Sequence, residues 1–289
     1  MSFQDYPTAL RQDSILHGRY IIQDVLGQGS FGITYKALDY QTNEQIAIKE
    51  YFPSSLSVRQ QNGIVMPRDS AQQGIFREGK KWFLKEVMTL SAFTGNPNIV
   101  RIYSFFEEND TAYFSMEYVK GVSLTDYVSS RGGRIPWPEA WELLLPIMDA
   151  LSSVHSKDII HRDIKPDNIM ISDGNNARIL DFGAARFSYG QESRSLDVIL
   201  TRGFAPLEQY YRRGKQGAWT DVYGLGATLY SAITGEIPPD AVKRSYKDEL
   251  MPPTSLGVMI PDYAQNALLK ALAVHAVVRF ESMRDFKNA

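Results

Sequence analysis

The sequence changes character near residue 121, and this change limits the folds that are open to the chain. Runs rich in β-branched and aromatic residues, separated by Gly or Asn turns, come first, at 20–22, 32–37 and 45–49. Segments of helical length and periodicity follow, at 141–155, 220–234 and 263–273. A strand-rich part followed by a helix-rich part predicts an α+β fold with two lobes, connected near residues 117–121.

The strand-rich part contains two further patterns. Residues 56–66 alternate around Asn62 and Gly63, which tolerate positive φ at both central positions of a tight turn, so we expect an inserted hairpin there. An amphipathic helix is then predicted, despite Gly79, by apolar residues at helical spacing: Phe76, Phe83, Val87, Leu90 and Phe93. Two more strands are expected at 99–107 and 112–118.

The composition is that of an ordinary globular protein and excludes several classes of function. The 289 residues, of which 44% are hydrophobic, are enough to bury a full core. The formal net charge of -2 gives no overall field that favours nucleic acid or an anionic membrane. Because the chain has no cysteine, a disulfide scaffold and a thiolate metal centre are excluded. We expect partners to be selected by a local site, with no nucleic acid among them.

The two ends of the chain bear on its location. Residues 1–18 include Asp5 and Pro7 and contain no apolar run, so they match neither a signal peptide nor a membrane anchor. No stretch approaches the roughly 20 apolar residues of a transmembrane helix. We therefore expect this segment to be cytoplasmic and to make no membrane contact. Apolar periodicity around 280–286 stops at Ala289 without Gly or Pro, which predicts a longer parent protein that could itself be membrane-anchored.

The run from His161 to Asn168 carries the clearest chemical signal and reads His-Arg-Asp-Ile-Lys-Pro-Asp-Asn. Within it, Asp163 is a candidate to accept the proton of a hydroxyl group, and Lys165 a candidate to stabilise a transferring phosphoryl group. Asn168, together with Asp181 of the later Asp-Phe-Gly, offers oxygen ligands to Mg²⁺. The pattern predicts phosphoryl transfer, although a polar loop and a simple turn would also contain such residues.

A glycine-rich segment and a lysine are candidates for holding phosphates. Gly27-Gln28-Gly29-Ser30-Phe31-Gly32 lies between two predicted strands, so its backbone can approach phosphates closely and donate N–H groups. Lys49 ends the apolar strand 46–48 and can reach under this loop, where Glu86 of the predicted helix is placed to pair with it. Taken singly, a structural turn, a solvated lysine and a solvent-facing glutamate beside Lys85 remain open readings.

Taken in order, these motifs resemble those of protein kinases, specifically bacterial Ser/Thr protein kinases, from about Gly18 to the end of the chain. The resemblance implies an N-terminal extension, 1–18, before a kinase domain at 19–289. It implies a bilobal fold with an N-terminal lobe of antiparallel sheet and one main helix at 19–118, a hinge at 117–121, and a mainly helical C-terminal lobe at 122–289. It also implies ATP with Mg²⁺, or Mn²⁺ in its place, and a protein substrate with a Ser or Thr acceptor.

The resemblance assigns roles to individual residues. Catalytic roles are implied for Asp163, Lys165, Lys49 and Glu86. Metal ligation is implied for Asn168 and Asp181. Contacts with ATP are implied for Leu26, Gly27, Gln28, Gly29, Ser30, Phe31, Gly32, Ile33, Thr34, Ala47, Lys49, Met116, Glu117, Val119 and Met170. Asp221 resembles the buried aspartate that anchors the catalytic loop, the name used below for residues 161–168.

Some segments mark a bacterial subgroup, and others depart from the family pattern. Residues 49–53, 205–210 and 217–219 resemble that subgroup, in which the connection between the strand lysine and the helix glutamate is long. The usual Ala-Pro-Glu motif has one additional residue before Glu208, which we still expect to pair with Arg279. Thr34 replaces the usual Val, and His275-Ala276 replaces the usual acidic residue and proline.

The resemblance also suggests how activity is regulated. Arg162 precedes Asp163, and its cation can pair with a phosphate on the segment between Asp181 and Glu208. Ser193 and Ser195 are the better candidate sites for autophosphorylation, which would require self-association if it occurs between molecules. Thr201 resembles the threonine that contacts the catalytic loop in Ser/Thr kinases. Solvated loop hydroxyls remain the alternative.

Two other functions are compatible with this fold. A nucleotide-binding pseudokinase scaffold would have lost a catalytic residue, and none of the six catalytic and metal-binding candidates is lost. A phosphotransferase for small molecules would generally lack the Glu208–Arg279 support and the Thr201 region, and both are present. The sequence therefore favours an active protein kinase.

Overall fold

The computed structural model describes residues 5–93, 95–180, 200–211 and 214–289, apart from the side chains of 86, 89, 90 and 92. These residues fall into two units. The first comprises the described residues of 5–95 and 100–118, and the second comprises 96–99, 119–180 and those after 199. The division lies between Tyr118 and Val119, within the segment expected to connect two lobes.

The first unit is built on an antiparallel sheet of six strands. They are β1 (Ile15–Leu16), β2 (Tyr20–Gln28), β3 (Gly32–Asp39), β4 (Glu44–Tyr51), β7 (Ile102–Glu108) and β8 (Thr111–Glu117). Their order in the sheet is β1-β2-β3-β4-β8-β7. The predicted strands are confirmed, but β7 begins three residues later than expected because Ile99 forms an isolated bridge with Ile179 in the second unit.

Helix α1 (Gln73–Leu90) packs on the face of the sheet that carries Tyr51. The rings of Phe76 and Phe83 lie 5.2 and 5.6 Å from the Tyr51 ring, which accounts for their helical spacing. A Cβ at Gly79 would overlap the Tyr51 hydroxyl, so this helix-weakening residue is required for the close approach. The predicted amphipathic helix is confirmed.

The inserted hairpin is present, but its turn differs from the prediction. Strand β5 (Ser57–Arg59) pairs with β6 (Val65–Pro67) in antiparallel register. Gly63 has a φ of 89°, whereas Asn62 has no positive φ. Hydrogen bonds from Gly63 N–H to Gln60 O and from Gln60 N–H to Ile64 O close a longer loop. The prediction of a tight turn with positive φ at both central positions was therefore wrong, because in this longer loop a single glycine with positive φ is enough to reverse the chain.

The second unit contains three short strands and most of the helices. The strands are β9 (Gly121–Ser123), β10 (Ile169–Ser172) and β11 (Asn176–Ile179). The helices are α2 (Leu124–Ser129), α3 (Trp137–His155), α4 (Ala218–Thr234), α5 (Ala241–Tyr246), α6 (Asp262–Ala271) and α7 (Met283–Asn288). The predicted α+β class, strand-rich first and helix-rich second, is confirmed. In the part of the chain that the structure describes, no helix is long and apolar enough to span a membrane.

Helix α4 forms the centre of the second unit. Fourteen of its seventeen residues are buried, so even its polar residues lie in the core. The helix ends at Gly235, whose φ of 79° is the left-handed conformation that terminates helices. The first turn contains Asp221, and the depth of α4 brings this carboxylate into the interior, where it needs hydrogen-bond donors.

Candidate active site

Asp221 in helix α4 anchors the catalytic loop through hydrogen bonds to its backbone. Its Oδ2 accepts hydrogen bonds from His155 Nε2 at 2.7 Å and from the His161 N–H at 2.8 Å, and its Oδ1 accepts from the Arg162 N–H at 2.7 Å. Burial by itself raises the pKa of Asp221, but the hydrogen bond and charge of His155, followed by His161, outweigh burial and leave the pKa below its ordinary value. The loop is therefore held by an ionised carboxylate.

The backbone at Arg162 takes a conformation that depends on this anchor. Its φ is 68°, in the left-handed region, which costs about 1–2 kcal/mol for a residue with a Cβ. The N–H of Arg162 donates to Asp221, and its carbonyl oxygen accepts from Gln209 Nε2 at 2.9 Å. Both ends of this strained residue are fixed, which sets the position of Asp163 beside it.

Asp163 lies at the centre of a polar cluster. Its Oδ2 is 3.2 Å from Lys165 Nζ, and its Oδ1 accepts a hydrogen bond from Thr201 Oγ1 at 3.4 Å. Lys165 Nζ in turn donates to Thr201 Oγ1 at 3.2 Å. A carboxylate, an ammonium group and a hydroxyl therefore converge. Such a cluster can accept a proton from a hydroxyl while balancing negative charge beside it.

Asn168 is oriented by two hydrogen bonds within the loop. Its Nδ2 donates to the Asp163 carbonyl oxygen at 2.8 Å and to the Asp163 carboxylate at 3.0 Å. The amide oxygen of Asn168 therefore points away from Asp163, and it is a hard ligand of the kind that Mg²⁺ prefers. The Leu180 N–H donates to the Asn168 carbonyl at 3.0 Å, which ties the loop to the residue before Asp181. Asp181 itself lies outside the described residues.

The expected pair of Glu208 and Arg279 is present and buried. Arg279 Nη1 and Nη2 donate to Glu208 Oε1 and Oε2 at 2.7 and 2.8 Å, in a bidentate arrangement. The guanidinium also donates to three carbonyl oxygens, those of Ala273, Trp219 and Val274. The additional residue before Glu208 therefore leaves this support intact.

In the first unit, Lys49 and the glycine-rich segment lie next to each other. The Gly29 N–H donates to the Gly32 carbonyl at 2.9 Å and closes a turn. A Cβ at Gly32 would overlap the Glu50 carbonyl oxygen and would lie 3.6 Å from Lys49 Cε. The lysine side chain therefore runs beneath the loop. Glu86 lies in α1, but its side chain is outside the described part of the chain.

The sheet register sorts the residues expected to contact ATP. Thr34 lies beside Lys49, and Ala47 beside Met116, so these four side chains share one face. Ile33 lies beside Glu50, is fully buried and points to the opposite face, because adjacent residues of a strand alternate. The side chain of Ile33 therefore points away from the Lys49 face, so the contact with ATP that was expected of Ile33 stays a prediction for its backbone.

The remaining candidates for ATP contact lie near the end of the first unit or in the second. The Glu117 N–H donates to the Arg101 carbonyl at 2.8 Å, so this donor is engaged within the sheet. Val119 is buried, and Met170 lies half-buried in β10 of the second unit. Leu26, beside the glycine-rich segment, has 38% of its surface exposed, which suits a residue that a ligand would cover.

Two side chains that hold the catalytic loop were not identified from the sequence. His155 ends α3 and donates to Asp221, and Gln209 donates to the Arg162 carbonyl. A lone histidine at a helix end has no spacing signal. Gln209 lies in a segment, 205–210, that resembles the bacterial subgroup, but its contact with the Arg162 carbonyl could not be predicted from that resemblance.

The first unit contains a sheet with a glycine-rich turn over a lysine. The second, helical unit contains an anchored loop with Asp, Lys and Asn. These features together define a protein of the kinase fold. The family described as protein kinase domain matches residues 20–266, and the chain belongs to this family. A solved structure, PpkA-294 in its apo form, is 33% identical with a TM-score of 0.86, and the match covers 97% of this chain and 99% of that one. The predicted kinase fold is confirmed.

Curated relatives include bacterial protein kinases, which confirms the resemblance to that group. Serine/threonine-protein kinase PrkC of Bacillus subtilis (strain 168) is 30% identical over 94% of this chain and 40% of its own length. Serine/threonine-protein kinase PknB of Mycobacterium leprae (strain TN) is 31% identical over 94% of this chain and 42% of its own length. The chain thus spans about two fifths of the length of these relatives.

Proposed function

We propose that this chain transfers the γ-phosphoryl group of ATP, with Mg²⁺, to Ser and Thr hydroxyls of proteins. The convergence of Asp163, Lys165 and Thr201 within hydrogen-bond distance carries the proposal. Asp163 orients the acceptor hydroxyl and takes its proton, and Lys165 stabilises charge on the transferring group. The names of the relatives as Ser/Thr protein kinases support this acceptor class.

The proposal also names the groups that would bind the metal and the nucleotide. Asn168 would supply its amide oxygen to Mg²⁺ and Asp181 a carboxylate, and the ion would neutralise charge on the phosphates. Mn²⁺ substitutes for Mg²⁺. Lys49 binds phosphate oxygens under the glycine-rich segment and is held there by Glu86. The other proposed contacts with ATP are those expected from the sequence, with Ile33 contributing its backbone and not its side chain.

The proposal extends to domain organisation, location and regulation. The kinase domain comprises 19–289, with the hinge at 117–121, and acts in the cytoplasm on protein substrates. Molecules associate and phosphorylate one another in the segment that contains Ser193 and Ser195, and Arg162 pairs with the resulting phosphate. Both serines lie outside the described residues. If incubation with ATP and Mg²⁺ fills other sites but leaves 187–200 unmodified, the regulatory part of the proposal fails.

Transfer of labelled phosphate tests the proposed reaction. The wild type and Asp163→Asn are incubated with labelled ATP and Mg²⁺, with a generic basic protein and the chain itself as acceptors. Asp167→Asn is the matched control, because Asp167 is exposed in the same loop and accepts a hydrogen bond from Thr125 rather than from the cluster. We expect labelling by the wild type and the control only. Equal labelling by all three proteins would contradict the proposal and favour a scaffold role.

A further inference from the structure

Residues 5–16, called the N-terminal strap below, contact the rest of the first unit at two places that bear on the nucleotide site. We propose that the strap is a positioning element for ATP: its Thr8 side chain holds the glycine-rich segment, and its backbone holds a buried cluster behind Lys49. The inference rests on the proposed function, because it concerns nucleotide bound at that same site. Thr8 and the strap backbone would act through other residues and touch no substrate.

The first contact joins Thr8 to the glycine-rich segment. Gln28 Nε2 donates to Thr8 Oγ1 at 3.1 Å, and Gln28 Oε1 lies 3.3 Å from the same hydroxyl. Gln28 is the last residue of β2 and pairs with Ile33 at the start of β3, so it stands at the base of the glycine-rich turn. A side-chain contact here limits how far the turn can swing away from the sheet.

The second contact is made through Glu50, which is completely buried. Its Oε2 accepts from Arg59 Nη2 at 2.5 Å and from the Tyr35 hydroxyl at 2.7 Å, and its Oε1 accepts from the Tyr113 hydroxyl at 2.7 Å. Burial, followed by the charge of Glu50, raises the pKa of both tyrosines, so both keep their protons and donate. A buried ion pair of this kind is stable only when its hydrogen bonds are complete.

The strap backbone completes that cluster. The Leu10 N–H donates to the Tyr35 hydroxyl at 3.1 Å, and Arg59 Nε donates to the Thr8 carbonyl oxygen at 2.7 Å. Arg59 belongs to the inserted hairpin, so the strap, the hairpin and the sheet meet at Glu50. Without the strap, the hydroxyl of Tyr35 and one guanidinium N–H would lose these partners in a buried place, which destabilises the arrangement.

Glu50 connects the cluster to Lys49 because the two are adjacent in β4. Their side chains lie on opposite faces of the sheet. The hydrogen bonds to Glu50 on one face therefore hold the backbone that carries Lys49 on the other face. The chain that follows the end of β4 at Tyr51 continues beside the glycine-rich turn, where the N–H groups of Phe52 and Ser54 donate to the carbonyls of Phe31 and Ser30. Lys49 and the turn therefore share one support, and the strap reaches both parts of it.

Substitution of Thr8 separates a positioning role from simple packing. Thr8→Val keeps the shape of the side chain and removes the hydroxyl. Thr254→Val is a matched control, because Thr254 Oγ1 makes the same type of hydrogen bond, to Gln265 Oε1 at 2.9 Å, in the second unit. The measurements are the Kd for Mg-ADP by calorimetry, KM for ATP and kcat with a protein acceptor, and the melting temperature of each protein.

We expect Thr8→Val to raise the Kd for Mg-ADP and KM for ATP by about two- to tenfold, the range for one lost hydrogen bond, with kcat within about twofold. Thr254→Val leaves both constants unchanged. Gln28→Met removes the partner amide at similar length, so adding Thr8→Val to it produces no further rise in Kd. A merely structural role would not give this non-additive pattern in nucleotide affinity.

Different outcomes would contradict the role of the strap and the proposed kinase function. If Thr8→Val binds Mg-ADP as tightly as the wild type, or weakens binding equally with and without Gln28→Met, the strap does not position the loop through Gln28. If both threonine variants lose the same amount of melting temperature and neither changes the Kd, the strap contributes to packing alone and does not position the nucleotide. If the wild type itself fails to bind Mg-ADP, the proposed function fails instead.

Discussion

The anchor at Asp221 predicts a large effect from the change of a single atom. In Asp221→Asn, one carboxylate oxygen becomes an NH₂ group. Because Oδ2 receives two donors, from His155 and His161, and Oδ1 receives one, from Arg162, the amide oxygen will take the position with two donors. The new NH₂ group then faces the Arg162 N–H, so two donors oppose each other in a buried place.

The magnitude follows from these contacts. A charge-assisted hydrogen bond of about 1.5–3 kcal/mol is lost, and the other two are weakened because the acceptor is no longer charged. The left-handed φ of Arg162, which costs about 1–2 kcal/mol, also loses the contact that supports it. A penalty of roughly 3 kcal/mol is expected to move the peptide before Asp163. Since each 1.36 kcal/mol in activation free energy is tenfold in rate, kcat falls about a hundredfold.

Steady-state kinetics with a basic protein acceptor tests this estimate. We expect KM for ATP to stay within about threefold, because Asp221 supports the loop of Asp163 and not Lys49. The control is Asp240→Asn, whose carboxylate accepts two hydrogen bonds, from Tyr210 and from the N–H of Val242, at a half-exposed site of the same unit. A kcat within threefold of the wild type, or equal losses in both variants, would refute the reasoning.

Three further predictions follow from buried contacts. Arg279→Met leaves the Glu208 carboxylate buried without its cation, so the free energy of unfolding in urea titrations should fall by about 3–5 kcal/mol. The additional change Glu208→Gln should restore part of this free energy. A loss below about 1 kcal/mol in Arg279→Met would contradict the prediction. Gly79→Ala should destabilise by about 1–3 kcal/mol, although alanine favours helices, because its Cβ overlaps the Tyr51 hydroxyl and lies 2.9 Å from Tyr51 Cζ. Tyr51→Phe removes the worse of these two contacts and should reduce the penalty. An unchanged penalty in that background would exclude overlap with the hydroxyl. Because the pKa of Asp221 is lower in the folded state, its ionised carboxylate stabilises the fold above the unfolded pKa of about 3.9, and this stabilisation is lost as pH falls through the folded pKa. Chemical denaturation at a series of pH values should therefore show that the wild type loses more stability than Asp221→Asn between about pH 5 and acid unfolding. Parallel stability curves for the two proteins would be inconsistent with an ionised anchor.

Much of the fold followed from periodicity, because alternation and helical spacing report directly on burial. The strands around Lys49 and helix α1 were predicted for this reason. The turn at Asn62 was not, because a dipeptide that suits a tight turn also suits a longer loop in which only Gly63 is left-handed. The side-chain direction of Ile33 could not be predicted from the motif, because a motif groups consecutive residues, whereas a strand sends them to opposite faces.

The chemistry of the site was more visible in the sequence than its supports. Asp163 and Asn168 stand in a short run whose residue types match the reaction, so the run itself is the signal. Gln209 contacts the loop, and His155 contacts Asp221, and in both pairs the two residues lie far apart in the sequence. Only the packing of α4 in the core brings Asp221 to His155. The strap belongs to the extension expected at 1–18, and the sequence did not predict that Leu10 and Leu16 in it are buried in the first unit.

The most direct test of the central claim is to identify the side chains that receive phosphate. A basic acceptor protein containing serine, threonine and tyrosine is incubated with ATP, Mg²⁺ and either the wild type or Asp163→Asn, and its modified residues are identified by mass spectrometry. The account predicts phosphoserine and phosphothreonine with the wild type and none above background with the variant. Phosphate on tyrosine alone, or equal modification by both proteins, would contradict it.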